Sequence, residues 1–107
     1  MFARRVTMKL KPNSVPEFTR TLEKDVIPLL HKQKGFRDEL TFVTNGDREA
    51  VAISVWDRQE SAEAYNSGQY SEVVQLLGNV VEGTPQVQDG EVSNSTFHKI
   101  ASQTTAQ

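Results

Sequence analysis

The 107-residue, 12.0 kDa chain is long enough for one domain with its own core and too short for two. Its 12 Lys and Arg are outnumbered by 14 Asp and Glu, and Arg4-Arg5 is the densest basic cluster, so the positive stripe that binds nucleic acid is absent and no such partner is expected. The lack of cysteine excludes disulfides, thiolate nucleophiles, iron–sulfur clusters and most structural zinc sites.

A hydrophobic fraction of 36% beside a charged fraction of 24% describes a globular chain with a wet surface. No stretch approaches the roughly 18 apolar residues of a membrane helix. Met1 to Arg5 lacks the apolar run of a signal peptide. A cytoplasmic protein with no membrane partner is expected.

Phe2 to Leu10 alternates, with Phe2, Val6, Met8 and Leu10 on one parity and Ala3, Arg5, Thr7 and Lys9 on the other, which predicts a half-buried strand. Lys11-Pro12-Asn13 is a turn. Ser14 then reads as a helix N-cap, with Glu17 placed to complete a capping box. Val15, Phe18, Leu22, Val26, Leu29 and Leu30 recur at steps of three and four along one helical face. Pro28 falls inside that pattern and should bend or end the helix, and Gly35 stands where a C-terminal cap is expected.

Phe36 to Thr44 predicts a second strand, with Phe36, Leu40 and Phe42 on one face. Asn45-Gly46-Asp47 joins it as a hairpin to a third, Glu49 to Trp56. Neither face of that third strand carries a charge after Glu49, so it should be central and covered on both sides. Asp57 and Glu60 can cap a short helix through Asn66 that turns Ala62 and Tyr65 inward. A second helical run from Tyr70 stops at Gly83 and Pro85. Gln86 to Ile100 reads as strand, interrupted at Asp89-Gly90 by a bulge or turn.

The order strand, helix, strand, strand, helix, strand predicts an α+β fold, a ferredoxin-like βαββαβ antiparallel sheet with its helices on one face. One domain over residues 1–100 and a polar, frayed tail over 101–107 are expected. With Ala52, Ser54 and Trp56 assigned to the helix-free face, that face would be an exposed apolar patch, which predicts a homodimer packed sheet to sheet. The alternative is a monomer whose terminal strand or tail folds over the sheet.

Ile53-Ser54-Val55-Trp56-Asp57, Ser61-Ala62-Glu63-Ala64-Tyr65 and then Tyr70 resemble the antibiotic biosynthesis monooxygenase domains. Val26-Ile27-Pro28-Leu29-Leu30 and Lys34-Gly35-Phe36 are similar to that family's first helix and second strand, so the resemblance spans about residues 2–98. It implies a ferredoxin-like unit that dimerises into an α+β barrel. Haem-degrading relatives in the superfamily use an Asn, a Trp and a His at places that here hold Val6, Tyr65 and Gln75. Without the His there is no axial ligand for haem iron.

The oxygenase branch implies a different chemistry. A phenolic substrate loses a proton, and its anion reacts with dioxygen without metal or flavin, so no cofactor and no metal are expected. Such a reaction needs a dry cavity and hydrogen-bonding groups near the phenolate. Ala52 and Ser54 are small and Trp56 shares their parity, so these three are the candidate pocket lining. Tyr65 and Tyr70 are the candidate phenol donors, unless they are core residues with a hydroxyl at the surface. His98 is a candidate general base, since an unperturbed imidazole titrates near neutrality. His31, at a helix end, is favoured there by the helix dipole. The expected function is a cofactor-independent monooxygenase of a small aromatic or quinone-like substrate. The alternative is a non-catalytic dimeric domain that binds a small apolar ligand or serves in a stress response.

Overall fold

A computed structural model describes residues 1–100; the tail expected over 101–107 lies outside the described residues. The elements are β1 (Phe2–Leu10), α1 (Val15–Thr21), a π-helical turn (Leu22–Val26), α2 (Ile27–His31), β2 (Phe36–Thr44), β3 (Glu49–Trp56), α3 (Gln59–Ser67), α4 (Tyr70–Leu76) and β4 (Val81–Glu91). The four strands form one antiparallel sheet in the order β2-β3-β1-β4, which makes β1 and β3 central. The α+β βαββαβ arrangement is the one the sequence pattern predicts.

Several local expectations need correction. Ser14 precedes α1, but its hydroxyl does not cap the helix; it donates to the Lys11 carbonyl at 2.6 Å, closing the preceding turn instead. The first helix neither ends nor breaks at Pro28. A π turn absorbs the proline: the Ile27 N–H donates to the Leu22 carbonyl one residue further back than in an α-helix, and Pro28 enters the first turn of α2, where its missing N–H costs nothing. Asp89-Gly90 does not interrupt β4, because Gly90 pairs with Ala3 and Asp89 with Arg4. The irregularity falls at Gly83–Pro85, between the pairs Thr7–Gln86 and Lys9–Glu82, where Gly83 takes a φ of +69° and Pro85 has no N–H to give the ladder. The hairpin turn is as expected, with Asn45, Gly46 and Asp47 at φ of 57°, 62° and 66°.

The largest correction concerns the faces of the sheet. Phe2 pairs with Trp56, Arg4 with Ser54, Val6 with Ala52 and Met8 with Ala50, so all eight share one face. Phe2, Met8, Ala50 and Trp56 belong to the same core as Phe18, Leu22, Val26 and Leu30 from the helices. Ala52, Ser54 and Trp56 therefore lie under the helices and not on the bare face. The helix-free face carries Val51, Ile53 and Val55 instead. A one-residue irregularity at Arg37 also splits the face read for β2: Phe36 lies with Trp56, but Leu40 pairs with Ile53 and Phe42 with Val51 on the bare side.

Part of that bare face is covered from within the chain. The Val92 N–H donates to the Met1 carbonyl at 2.9 Å beside the β4 edge, and His98 meets the Asp38 carboxylate on β2 at the opposite edge. Leu40 and Phe42, further along β2, remain 55% and 47% exposed.

Candidate functional site

Between the sheet and the helices lies a cavity of about 190 Å³. Val6, Met8 and Ala52 pave its floor, Leu22, Val26 and Leu30 descend from the first helical layer, and Val73 and Leu77 close it from α4. The π turn sets Leu22 and Val26 in this roof, and the Gly83–Pro85 bulge of β4 rims the opening. An apolar cavity of about 150 Å³ accommodates a benzene molecule, so this one fits a substituted ring or a small fused pair.

A short polar row crosses this apolar floor. Arg4 on β1 pairs with Ser54 on β3, and Ser54 pairs with Glu39 on β2, so a guanidinium, a hydroxyl and a carboxylate stand side by side on adjacent strands, and all three line the cavity. The Arg37 irregularity is what turns Glu39 to this face. Thr41, next along β2, donates its hydroxyl to the Glu39 carboxylate.

An aromatic stack forms one wall. Phe36 meets Trp56 edge-on at 5.6 Å between ring centroids, Trp56 stacks on Tyr65 at 5.0 Å, and Tyr65 meets Tyr70 at 5.8 Å. Trp56 has no exposed surface and does not itself line the cavity. It stands behind Tyr65, and its indole N–H donates to the Ser54 hydroxyl oxygen at 2.9 Å. That bond occupies an acceptor position of Ser54 and leaves the hydroxyl hydrogen to be donated.

Tyr65 and Tyr70 both line the cavity, beside Ala52 and Ser54. Burial pushes the Tyr65 phenol up from 10.0 to about 12, against the opposing pull of Arg4, and burial raises Tyr70 as well. Both are neutral near pH 7 and can donate a hydrogen bond; neither is placed to accept a proton as a phenolate. The structure does not bring His98 to this site, because its partner Asp38 pairs with Val55 on the other side of the sheet. Gln75, at the place where haem-degrading relatives carry their histidine, is exposed on α4.

Arg4 is the residue that the sequence reading passed over. It is only 2% exposed, and its guanidinium carbon lies 4.7 Å from the Tyr70 ring centroid and 5.4 Å from that of Tyr65. Its Nη1 donates to Asn66 Oδ1 at 2.8 Å. The signal was present: Arg4 shares the even parity of Phe2, Val6 and Met8, so a cation stood on the strand's apolar face.

Among the described residues no group of His, Asp and Glu could hold a metal ion, and no helix is long and apolar enough to cross a membrane. No family profile matches the sequence, and no curated protein is detectably similar to it. Solved structures share the fold. A monooxygenase from Streptomyces coelicolor in complex with the ligand nanaomycin D superposes with a TM-score of 0.75 at 13% identity, over 92% of each chain. The cofactor-independent oxygenase SnoaB from Streptomyces nogalater gives 0.72 at 12% identity, over 89% of this chain and 95% of its own. A protein of unknown function from Nitrosomonas europaea gives 0.72 at 14%, over 89% and 91%. The chain thus has the fold of these oxygenases and of a putative antibiotic biosynthesis monooxygenase from Bordetella bronchiseptica, which gives 0.72 at 14% identity over 85% of this chain and 95% of its own. At these identities the likeness speaks for the fold alone.

Proposed function

We propose that the cavity binds a small aromatic or quinol-like molecule and oxidises it with dioxygen, without a metal or an organic cofactor. The observation that carries this reading is the polar row of Arg4, Ser54 and Glu39 on the floor of an otherwise apolar, ring-sized cavity. Shared fold with oxygenases of this kind supports it but could not have chosen it.

In this reading Glu39 takes the proton from a ring hydroxyl, and donors on the same cavity hold the resulting phenolate. Tyr65, kept protonated by its raised pKa, and the free hydroxyl hydrogen of Ser54 are those donors. The electron-rich anion then reacts with dioxygen. A hydroquinone gives two electrons and two protons to dioxygen and leaves as the quinone with hydrogen peroxide. Where a ring CH₂ becomes a carbonyl, one oxygen atom stays on carbon and the other leaves as water with the two hydrogens. The apolar walls keep bulk water from quenching the anion.

The unit that does this is a homodimer in the same reading. Leu40 and Phe42 leave an apolar strip on the helix-free face beyond the segment that ends at His98, and Phe97 on that segment is itself 77% exposed. A second copy packed across a two-fold axis covers all three. The test of function is oxygen-electrode turnover of benzo- and naphthohydroquinones by the purified protein, with three-ring anthrones as compounds too large for the cavity. Uptake above the uncatalysed rate is expected for compounds of one or two rings; no uptake with any of them would leave the non-catalytic ligand-binding reading in its place.

A further inference from the structure

We infer that the ligand of this cavity carries a carboxylate, and that Arg4 is the residue that recognises it. The Tyr70 ring lies against the guanidinium, its centroid 4.7 Å from the guanidinium carbon, and Nη1 donates to Asn66. The edge formed by Nε and Nη2 is buried and has no hydrogen-bond partner among the described residues. Those two N–H groups point the same way from a planar group and form a fork matched to two oxygens held side by side.

The guanidinium charge is as unpaired as those two N–H groups. Asp89 on the neighbouring strand β4 and Glu39 two strands away on β2 lie in the same row, yet among the described residues no carboxylate forms an ion pair with Arg4. A buried cation with two unmade hydrogen bonds is a costly arrangement for a fold that could have used Met or Leu. An anionic ligand resolves both costs at once. A neutral phenol, whose ordinary pKa is about 10, brings no charge at pH 7, whereas a carboxylic acid is fully ionised there. The fork also asks for two oxygens, which a carboxylate supplies and a single phenolate does not. The rest of the molecule is apolar and of ring size, because the cavity beside Arg4 is walled by Val6, Ala52 and Val73 and holds about 190 Å³.

Neither fork nitrogen reaches solvent, so the carboxylate gains it by displacing a side chain. Tyr70, half-buried on the first turn of the short helix α4, is the group that yields.

The inference rests on the cavity being a ligand site, as proposed above, but not on oxygen chemistry, so it is tested by binding alone. The probes are 2-naphthoate, the isosteric neutral 2-naphthamide, and acetate, each titrated calorimetrically into the intact protein. Naphthoate should bind, with the amide and acetate each at least about tenfold weaker. Arg4→Lys keeps the charge but lacks the fork and should weaken naphthoate by about tenfold or more. Arg4→Gln should abolish the preference for acid over amide. Equal binding of acid and amide, no binding of either, acetate binding as tightly as naphthoate, or undiminished naphthoate binding by Arg4→Lys overturns the inference. Arg4→Lys decides the matter should Arg4→Gln not fold. Naphthoate bound through Arg4 with no oxidation of any phenol would sink the oxygenase reading alone. Turnover of neutral hydroquinones with no preference for acids would sink this inference alone.

Discussion

Trp56→Phe tests the architecture behind the cavity. The indole is fully buried, stacked on Tyr65 and bonded to Ser54. Phe keeps a ring in the stack but loses the N–H and about 40 Å³ of side-chain volume, which at ~24 cal/mol per Å³ of residual cavity costs about 1 kcal/mol. The lost hydrogen bond adds about 1 kcal/mol and the lost burial of ring atoms a similar amount, for roughly 2–3 kcal/mol in all. For a domain of this length that lowers Tm by about 10 °C. Because Trp56 is the sole tryptophan, unfolding must be followed by far-UV circular dichroism and not by fluorescence. Ser54→Ala alone should cost about 1–3 kcal/mol, since it leaves a buried indole N–H unpaired. The double variant should be more stable than the sum of the two by about 1 kcal/mol, the coupling of the bond they share. A cost for Trp56→Phe below about 0.5 kcal/mol, additive with that of Ser54→Ala, would refute the reasoning.

Tyr65→Phe removes one positioned donor while keeping the ring, so turnover of an accepted substrate should fall about 10²-fold with the fold intact, as shown by unchanged circular dichroism. Because burial raises the Tyr65 phenol from 10.0 to about 12, the folded state holds its proton more tightly than the unfolded chain. Its contribution to stability is whole below pH 10.0 and is lost as pH rises toward about 12; urea midpoints should fall across that window less steeply in Tyr65→Phe than in the unmodified protein. Gly35→Ala should destabilise by about 2 kcal/mol or more, measured by urea unfolding. Gly35 holds a φ of +84°, and a Cβ there would come within 2.3 Å of Asp57 Oδ1. Phe42→Glu should shift sedimentation from twice the 12.0 kDa chain mass toward the monomer. A charge at Ala52 would enter the cavity and does not test the dimer.

The sheet and both helical layers were legible because their periodicities are clean: β1 alternates, and Val15 to Leu30 keeps to one helical stripe. The faces were less so. β3 is apolar on both sides, so Ala52, Ser54 and Trp56 gave no parity signal to say which side the helices cover. Only the pairing of Trp56 with Phe2 on β1, whose apolar parity is unambiguous, decides it. Glu39 was hidden for another reason. A one-residue irregularity at Arg37 reverses the faces of β2, and nothing in Phe36-Arg37-Asp38-Glu39 announces it. Arg4 is readable, since its parity is that of Phe2 and Val6, but its place beside Arg5 in the densest basic pair masks that signal. Tyr65 and Tyr70 face the cavity as the helical spacing suggests, whereas His98 is drawn to the opposite side of the sheet by Asp38, a contact about 60 residues apart that no local pattern encodes.

The central claim is that the working site lies under the helices and not on the bare face of the sheet. A methyl-resolved NMR titration with a naphthohydroquinone under nitrogen, where no oxidation can occur, tests it most directly. Saturable shifts are predicted at Val6, Ala52, Val73 and Leu77, with Val51, Val55 and Leu40 unmoved. Shifts confined to Val51, Val55 and Leu40 would place the ligand on the opposite face and contradict the claim.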